Sequence, residues 1–399
     1  MTEMLIPELP TTRSTAFDPP AELGSLRAAA PIHRMRFPDG HEGWLVTGYE
    51  LAREVHADRR FSSRSELHHP LRRLAGQAVP RQDPAKPGMF IGMDAPDHTR
   101  YRRLLTGQFT VRRMNALMPR IEQIVAEHLA GLRAAGSPAD LVANFALPVP
   151  SMVICELLGV PWDEREAFQR DTAEALRLDR PFEEVMAAFE RLEEFVADLV
   201  RRKRAEPGDD MLTGLVETGE LTDGEVANMG LLLLVAGHET TANMLGLGTL
   251  ALLRHPEQLA ALKADPSLLD NAVEELMRYL SIIQFGTIRT ALEDVGIGGV
   301  VIRAGDTVSI SVPAANRDPE RFERPDELDV RRSATGHIAF GHGVHQCLGQ
   351  QLARIEMRVG YSALFREFPD LRLAVPASEV RLRTDMAIYG VHELPVAFS

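Results

Sequence analysis

Between residues 97 and 256, apolar side chains recur at i, i+3, i+4 and i+7, the spacing of helices with one buried face. The segments "DHTRYRRLLTGQFT", "MNALMPRIEQIVAEHLAGLRAAG" and "FEEVMAAFERLEEFVADLVRRKRAE" all follow it. The stretch "LTDGEVANMGLLLLVAGHETTANMLGLGTLALLRHP" is apolar on every side, which predicts a long helix at the centre of a large fold. Before this region, a strand-like run ("EGWLVTG") alternates with a helical one ("YELAREVHAD"). Residues 62–88 have little periodicity and predict a long loop; loops of that length usually act as lids or binding walls. After the helix "NAVEELMRYL" come short strand-like pieces, "VGIGGVVIRAGDTVSI", then a glycine-rich loop. One more amphipathic helix, "QQLARIEMRVGYSALFREF", precedes a strand-rich tail. The expectation is a mainly α chain with a minor β region, forming one domain over 1–399. Its parts are strands, helices and a loop to about 90, a helical core over 91–280, and strand pieces, loop, final helix and tail over 281–399.

Composition narrows the function classes. The chain is 45% hydrophobic and 25% charged, with a formal net charge of -13, which argues against a general nucleic-acid binder. Lys86, Lys203 and Lys263 are the only lysines, a codon bias rather than a functional signal. Two cysteines, Cys155 and Cys347, cannot make a disulfide framework. The N-terminus "MTEMLIPELPTTRS" has acids and prolines where a signal peptide has its apolar run. The apolar run "MGLLLLVAG" is about half the length that spans a bilayer. A cytoplasmic, unanchored, monomeric protein is expected.

Four constellations bear on chemistry. In the central helix, Gly237, Glu239, Thr240 and Thr241 interrupt an apolar rod. Buried acids need partners or a shifted pKa, so this is either a satisfied helix crossing or a proton-handling groove. "EELMR" places Glu275 and Arg278 on one helix face, and "MDAPDHTRYRR" does the same for His98 and Arg102. Each pair alone reads equally as a solvated face. "FGHGVHQCLG" (340–349) offers His342, His345 and Cys347 as zinc ligands, but no second cluster completes a closed site. A Cys–His nucleophile lacks an orienting third residue. Cys347 also sits just before a helix, where backbone N–H groups favour a thiolate and glycines permit close approach.

Together these segments resemble the bacterial cytochromes P450. "FGHGVHQCLG" matches the family's F-G-x-G-x-H-x-C-x-G loop, "AGHETT" its oxygen-activation segment and "EELMR" its E-x-x-R pair. "MDAPDHTRYRRLL" matches its haem-facing helix, and "ANRDPERF" falls where the family has it, so the likeness runs over residues 20–399. The resemblance implies a haem sandwiched between the central helix and the Cys loop, with Cys347 as the thiolate ligand of iron. Phe340 would pack beside the sulfur, while Gly341, Gly343 and Gly349 would fit the loop under the porphyrin. His98, Arg102, Arg289 and His345 would bind the propionates. Ala236 and Gly237 would leave room for O2, to which Glu239 and Thr240 would relay protons. Glu275 and Arg278 would be structural, with Arg331 or Arg332 as a third partner. His342 receives no role.

The implied activity is hydroxylation or epoxidation of a medium-to-large hydrophobic molecule by a haem b monooxygenase. Electrons would come from a ferredoxin and its NAD(P)H-dependent reductase, with Arg100, Arg103, Arg112 and Arg113 as a docking face. Oxidative coupling, peroxide-driven oxidation and a non-catalytic haem sensor are the rivals; the Glu239–Thr240 pair disfavours the last two. By resemblance, substrate walls come from the 62–88 loop, Met89, Phe90, Leu176, Leu232, Val235, Ile283, Phe285, Thr287, Ile288, Ala387, Ile388 and Tyr389. Arg64, His68 and His69 are the loop's polar candidates.

Overall fold

The computed structural model describes residues 5–399. Its longest element is the central helix Asp223–Arg254. Thr222 starts it with a capping box: the Thr222 hydroxyl accepts from the Glu225 N–H, and the Glu225 carboxylate accepts from the Thr222 N–H at 2.7 Å. Most of this helix is buried, as its all-round apolar sequence requires. Helices Pro148–Leu158 and Phe182–Ala205 pack along it, and the final helix Gln350–Glu367 crosses it. The last crossing is close. A Cβ on Gly248 would lie 2.0 Å from the Tyr361 hydroxyl, which instead donates to the Met244 carbonyl at 2.5 Å.

The minor β region is a five-stranded sheet in the order Ile32–Arg36, Glu42–Val46, Thr307–Ile310, Thr287–Ala291, Phe61–Ser62. All its pairings are antiparallel except Thr307–Ile310 with Glu42–Val46. It buries one face under helix Tyr49–Ala57, through Trp44, Val46, Leu51 and Val55. A mainly helical protein with minor sheets is therefore what the chain forms, as the hydrophobic periodicity predicts.

Residues 62–88 are not structureless. They contain a one-turn helix, Ser65–Leu67, and a two-residue hairpin, Arg73–Leu74 with Gln77–Ala78. Ala75 and Gly76, both at positive φ, form its tip. Segments this short carry no periodic signal. The tip is fastened by the Ala75 N–H to the Leu178 carbonyl at 2.7 Å, which brings the loop against the Leu176, Met386 and Ala387 cluster.

Candidate active site

The Cys loop turns on two glycines, Gly341 and Gly343, with φ of 71° and 73°. At Gly343 the constraint is also spatial, since a Cβ would meet the His56 carbonyl at 2.6 Å. The Cys347 N–H closes the loop on the Phe340 carbonyl at 2.8 Å, and Gly349 then caps helix Gln350–Glu367. The Phe340 ring lies under the Arg354 guanidinium, 4.5 Å from its centroid, and Arg354 is clamped by both oxygens of Glu274. Burial pushes the Cys347 thiol up, while the Gly349 backbone, Arg102 and Arg354 act to lower it. A half-buried cysteine beside an amide and two guanidinium groups is a site that accepts a thiolate.

Beside the loop lies a cluster of basic groups. His98 and His345 have ring centroids 4.1 Å apart, and the buried His98 Nε2 has no hydrogen-bond partner among the described residues. Arg102 donates to the Gln346 carbonyl at 2.5 Å, and among the described residues the buried Arg289 reaches only the Ile288 carbonyl. Burial, then Arg289, His98 and Arg102, push His345 down to about 3; burial pushes Arg289 down to about 10. Among the described residues, the one acid acting on Arg289 and His98 is Asp94, whose oxygens already accept from the Ser62 hydroxyl and the Ser63 N–H. Two arginines and two imidazoles crowded this way, with an orphaned buried imidazole nitrogen, fit a ligand bearing carboxylates. The donor set suits the propionates of a haem whose iron meets Cys347.

His56, which sequence reasoning missed, joins this cluster. Its Nε2 meets the Thr287 hydroxyl at 2.8 Å, and burial followed by Arg289 lowers its pKa to about 3. Nothing in an amphipathic helix singles it out. Thr287, expected as a substrate wall, thus has its hydroxyl committed to His56.

On the central helix, Leu232, Val235, Ala236 and Thr240 are incompletely buried and share one face by their i, i+3, i+4 spacing. The Thr240 hydroxyl donates to the Ala236 carbonyl at 2.9 Å, a back-bond that loosens the helix here. Gly237 and Glu239 point elsewhere. A Cβ on Gly237 would come 2.8 Å from the Ile154 side chain, so its lack of a side chain serves a helix crossing rather than space for a diatomic ligand. Glu239 is 2% exposed; its Oε2 is held by Arg383 at 3.0 Å and by the Asn243 amide at 3.2 Å. His238 is fully buried against Phe168.

Glu275 and Arg278 form a fully buried bidentate pair at 2.7 and 2.8 Å. The third member is Arg332, with Nε 3.1 Å from Glu275 Oε1, and not Arg331, whose side chain lies outside the network. Arg278 also donates to the Asn316, Pro325 and Glu327 carbonyls, so the network pins the chain that leads into the Cys loop.

The expected substrate walls fall into two groups. Leu176, Ala387 and Ile388 cluster together, joined by the Ala387 N–H to the Leu176 carbonyl at 2.8 Å. Phe285 and Ile288 pack instead with Leu71 and the N-terminal Ile6 and Leu9, while half-buried Ile283 belongs to the main core. Phe90 is buried with its ring centroid 6.2 Å from that of His98. The loop's polar candidates are occupied: Arg64 pairs with Glu66, His69 with Asp39, and His68 with the Ser62 carbonyl. Among the expected docking arginines, Arg100 and Arg103 are paired with Glu225 and Glu220, and Arg113 binds Gln108, leaving Arg112 without a partner among the described residues. Among the described residues, no three His, Cys, Asp or Glu side chains gather as a metal site, which removes the zinc reading of His342, His345 and Cys347. No helix there is long and apolar enough to cross a membrane.

Comparison with known proteins agrees with this geometry. The family described as Cytochrome P450 matches residues 176–373. The chain is 54% identical to cytochrome P450 105C1 from a Streptomyces species, over 97% of each chain. It superposes on the crystal structure of CYP105P1 in complex with filipin I with a TM-score of 0.94, at 47% identity and 99% coverage of both chains. CYP105P2 of Streptomyces peucetius, in complex with a biphenyl compound, gives a TM-score of 0.90 at 48% identity, over 98% of this chain and 99% of that one. A Cys loop at the mouth of an acid-poor cationic cradle, carried on this fold and these identities, leaves one conclusion: the chain belongs to the cytochrome P450 family and is a monooxygenase of small molecules, similar to the CYP105 members of Streptomyces.

Proposed function

We propose that this cytochrome P450 inserts oxygen into a medium-to-large, mainly apolar molecule, as an alcohol or epoxide, drawing electrons from a ferredoxin and its NAD(P)H-dependent reductase in the cytoplasm. The observation that carries the reading is the cradle of His98, Arg102, Arg289 and His345 beside Cys347, basic groups with almost no acid among them. Haem b, once bound, supplies the O2-activating and electron-accepting chemistry that no side chain provides. Cys347 is its ligand in this reading, and Phe340 with Arg354 shields the sulfur from water. Arg102 and Arg289 would neutralise the propionates, while His98 and His345 would donate hydrogen bonds to them and fix the ring's orientation. The Thr240 hydroxyl, free to leave the Ala236 carbonyl, holds a proton on the open face of the central helix. Glu239 reaches that proton path only by exchanging its bond to Arg383.

Apolar Leu232, Val235, Leu176 and Ile388 favour a hydrophobic substrate, in line with filipin I and a biphenyl compound held by the related structures. With Arg100 and Arg103 paired to acids, ferredoxin docking rests on Arg112 and on Arg113, whose charge the neutral Gln108 amide leaves uncancelled, together with the Cys-loop surface. The test is a spectrum of the purified protein, reduced and treated with carbon monoxide. A Soret maximum at about 450 nm is expected for thiolate ligation, and Cys347→Ser should abolish it. A wild-type protein that holds haem without that maximum would refute the assignment.

A further inference from the structure

The helix Leu269–Leu280 carries two adjacent acids, and only Glu275 belongs to the network with Arg278 and Arg332. Neighbouring residues lie about 100° apart around a helix, so Glu274 faces another way. Its carboxylate grips one edge of Arg354 on the final helix, with Arg354 Nε to Oε1 at 2.5 Å and Nη2 to Oε2 at 3.0 Å. His337 steadies the same carboxylate. The Ala339 N–H donates to His337 Nδ1 at 3.1 Å, which leaves the ring hydrogen on Nε2, 3.2 Å from Glu274 Oε2. Burial acts to raise the Glu274 pKa, but His337 and Arg354 outweigh it and hold it at about 2, so the carboxylate stays charged.

The other edge of the guanidinium points toward the Cys loop. Arg354 Nη1 donates to the Gln350 side-chain oxygen at 3.0 Å and to its carbonyl at 3.4 Å, at the start of the helix that begins three residues after Cys347. The guanidinium carbon stands 4.5 Å from the centre of the Phe340 ring, and the Phe340 carbonyl accepts from the Cys347 N–H at 2.8 Å. The ion pair is thus a dipole with its positive end toward Cys347. Among the described residues, the charges acting on that thiol are Arg102 and Arg354, with no acid to offset them. Arg102 is drawn to a propionate in the reading above, which leaves Arg354 as the fixed charge on the sulfur's side. Both partners of the pair are only 22% exposed at the side chain, so water screens this field in part.

We infer that Arg354 tunes the Cys347 thiolate electrostatically, with Glu274 as its positioning residue, and that this pair sets how readily the haem takes up the electron delivered by the ferredoxin. Reduction adds one negative charge at the site, and a guanidinium on the sulfur's side stabilises it. Glu274 opposes that effect from farther away. Removing one partner or the other should therefore move the potential in opposite directions, although both changes break the same ion pair. Loosening of the contact does not produce that pattern, because water admitted to the sulfur by either change acts with one sign.

This inference rests on the haem-thiolate reading, and one set of measurements separates the two. Haem-loaded, substrate-free proteins are titrated with dithionite in the presence of redox dyes, after the carbon monoxide spectrum has established thiolate ligation. Arg354→Gln should lower the equilibrium constant for one-electron reduction about tenfold, or about 59 mV. Glu274→Gln should raise it about threefold, and Arg354→Lys, which keeps the charge without the fork, should stay within about threefold of wild type. The double variant Glu274→Gln, Arg354→Gln leaves neither charge unpaired, so it loads haem even if a single variant does not. Its constant should lie about threefold below wild type, the product of the two single effects. Shifts of the same sign in the two single Gln variants, an Arg354→Lys that falls as far as Arg354→Gln, or a double variant at the wild-type potential overturn the inference and leave the haem assignment intact. A wild-type protein that holds haem without a maximum at about 450 nm refutes the thiolate reading, and the inference with it.

Discussion

Glu239 and Thr240 are adjacent in sequence but about 100° apart around the helix, and their surroundings differ accordingly. Thr240 lies on the open face with its hydroxyl parked on Ala236, and Glu239 is buried in a three-membered knot with Arg383 and Asn243. The two substitutions should therefore fail differently. Thr240→Ala removes no buried bond, so haem content and melting temperature should stay close to wild type. Product per NADH consumed should fall severalfold, with the missing electrons recovered as hydrogen peroxide; unchanged coupling would show that Thr240 handles no proton. Glu239→Gln leaves the Arg383 charge unpaired at 10% side-chain exposure. Breaking a buried ion pair from one side costs about 3 kcal/mol, so this variant should melt well below wild type. The double variant Glu239→Gln, Arg383→Gln should regain most of that loss. A double-mutant cycle in chemical denaturation measures it, and additive losses would mean that the pair is not coupled.

At the level of elements, the long helices could be read from the sequence because each buries one stripe or, for Asp223–Arg254, its whole circumference. The start of that helix folds as a capping box through Thr222 and Glu225, which the hydrophobic spacing alone does not announce. What periodicity could not show is that its Glu225 also accepts from Arg100 at 2.6 Å and from the Tyr101 hydroxyl at 2.7 Å, tying the haem-facing helix Asp97–Thr106 to the central one. That union makes a pH prediction. Burial raises the Glu225 pKa, but Arg100, the Thr222 N–H and Tyr101 together outweigh it and hold the carboxyl near about 2. Its folded pKa is below the unfolded value of roughly 4.3. The stabilisation is thus complete above that value and is lost as pH falls toward about 2. Glu225→Gln should lower stability by about 1 kcal/mol at neutral pH, the usual cost of a lost cap. The gap between variant and wild type in urea midpoints should narrow steadily on acidification below about pH 4. A gap independent of pH would assign Glu225 a packing role only. The hairpin at residues 73–78 escaped the sequence for the opposite reason, since two-residue strands have no period to detect.

Across the whole molecule, the motifs announced the residue types of the site but not their company. Cys347, His98, Arg102 and Arg289 could be picked out because their spacing matched a family. Arg383, 144 residues from Glu239 in the chain, and Arg332, which answers Glu275, are joined to their partners only by the tertiary fold. The same applies to the cradle, whose defining property is collective: burial and mutual repulsion depress several basic groups at once. A protein bears such a cluster at a cost in stability unless an anion is bound there. This predicts a change of sign on ligand removal. Arg289 is buried, its pKa is lowered chiefly by burial, and its only acceptor among the described residues is the Ile288 carbonyl. In haem-depleted protein, Arg289→Met should therefore raise the melting temperature or leave it unchanged, because it removes a poorly paired buried charge. In haem-loaded protein the same change deprives a propionate of its partner, and haem loss to a scavenging globin should quicken about tenfold or more, the worth of one charge-assisted pair. Loss of stability by the haem-free variant, with haem release unchanged, would mean that Arg289 is a structural residue of the sheet. The paired measurement, on one variant with and without the group, separates a residue that supports the fold from one that the fold supports for its ligand.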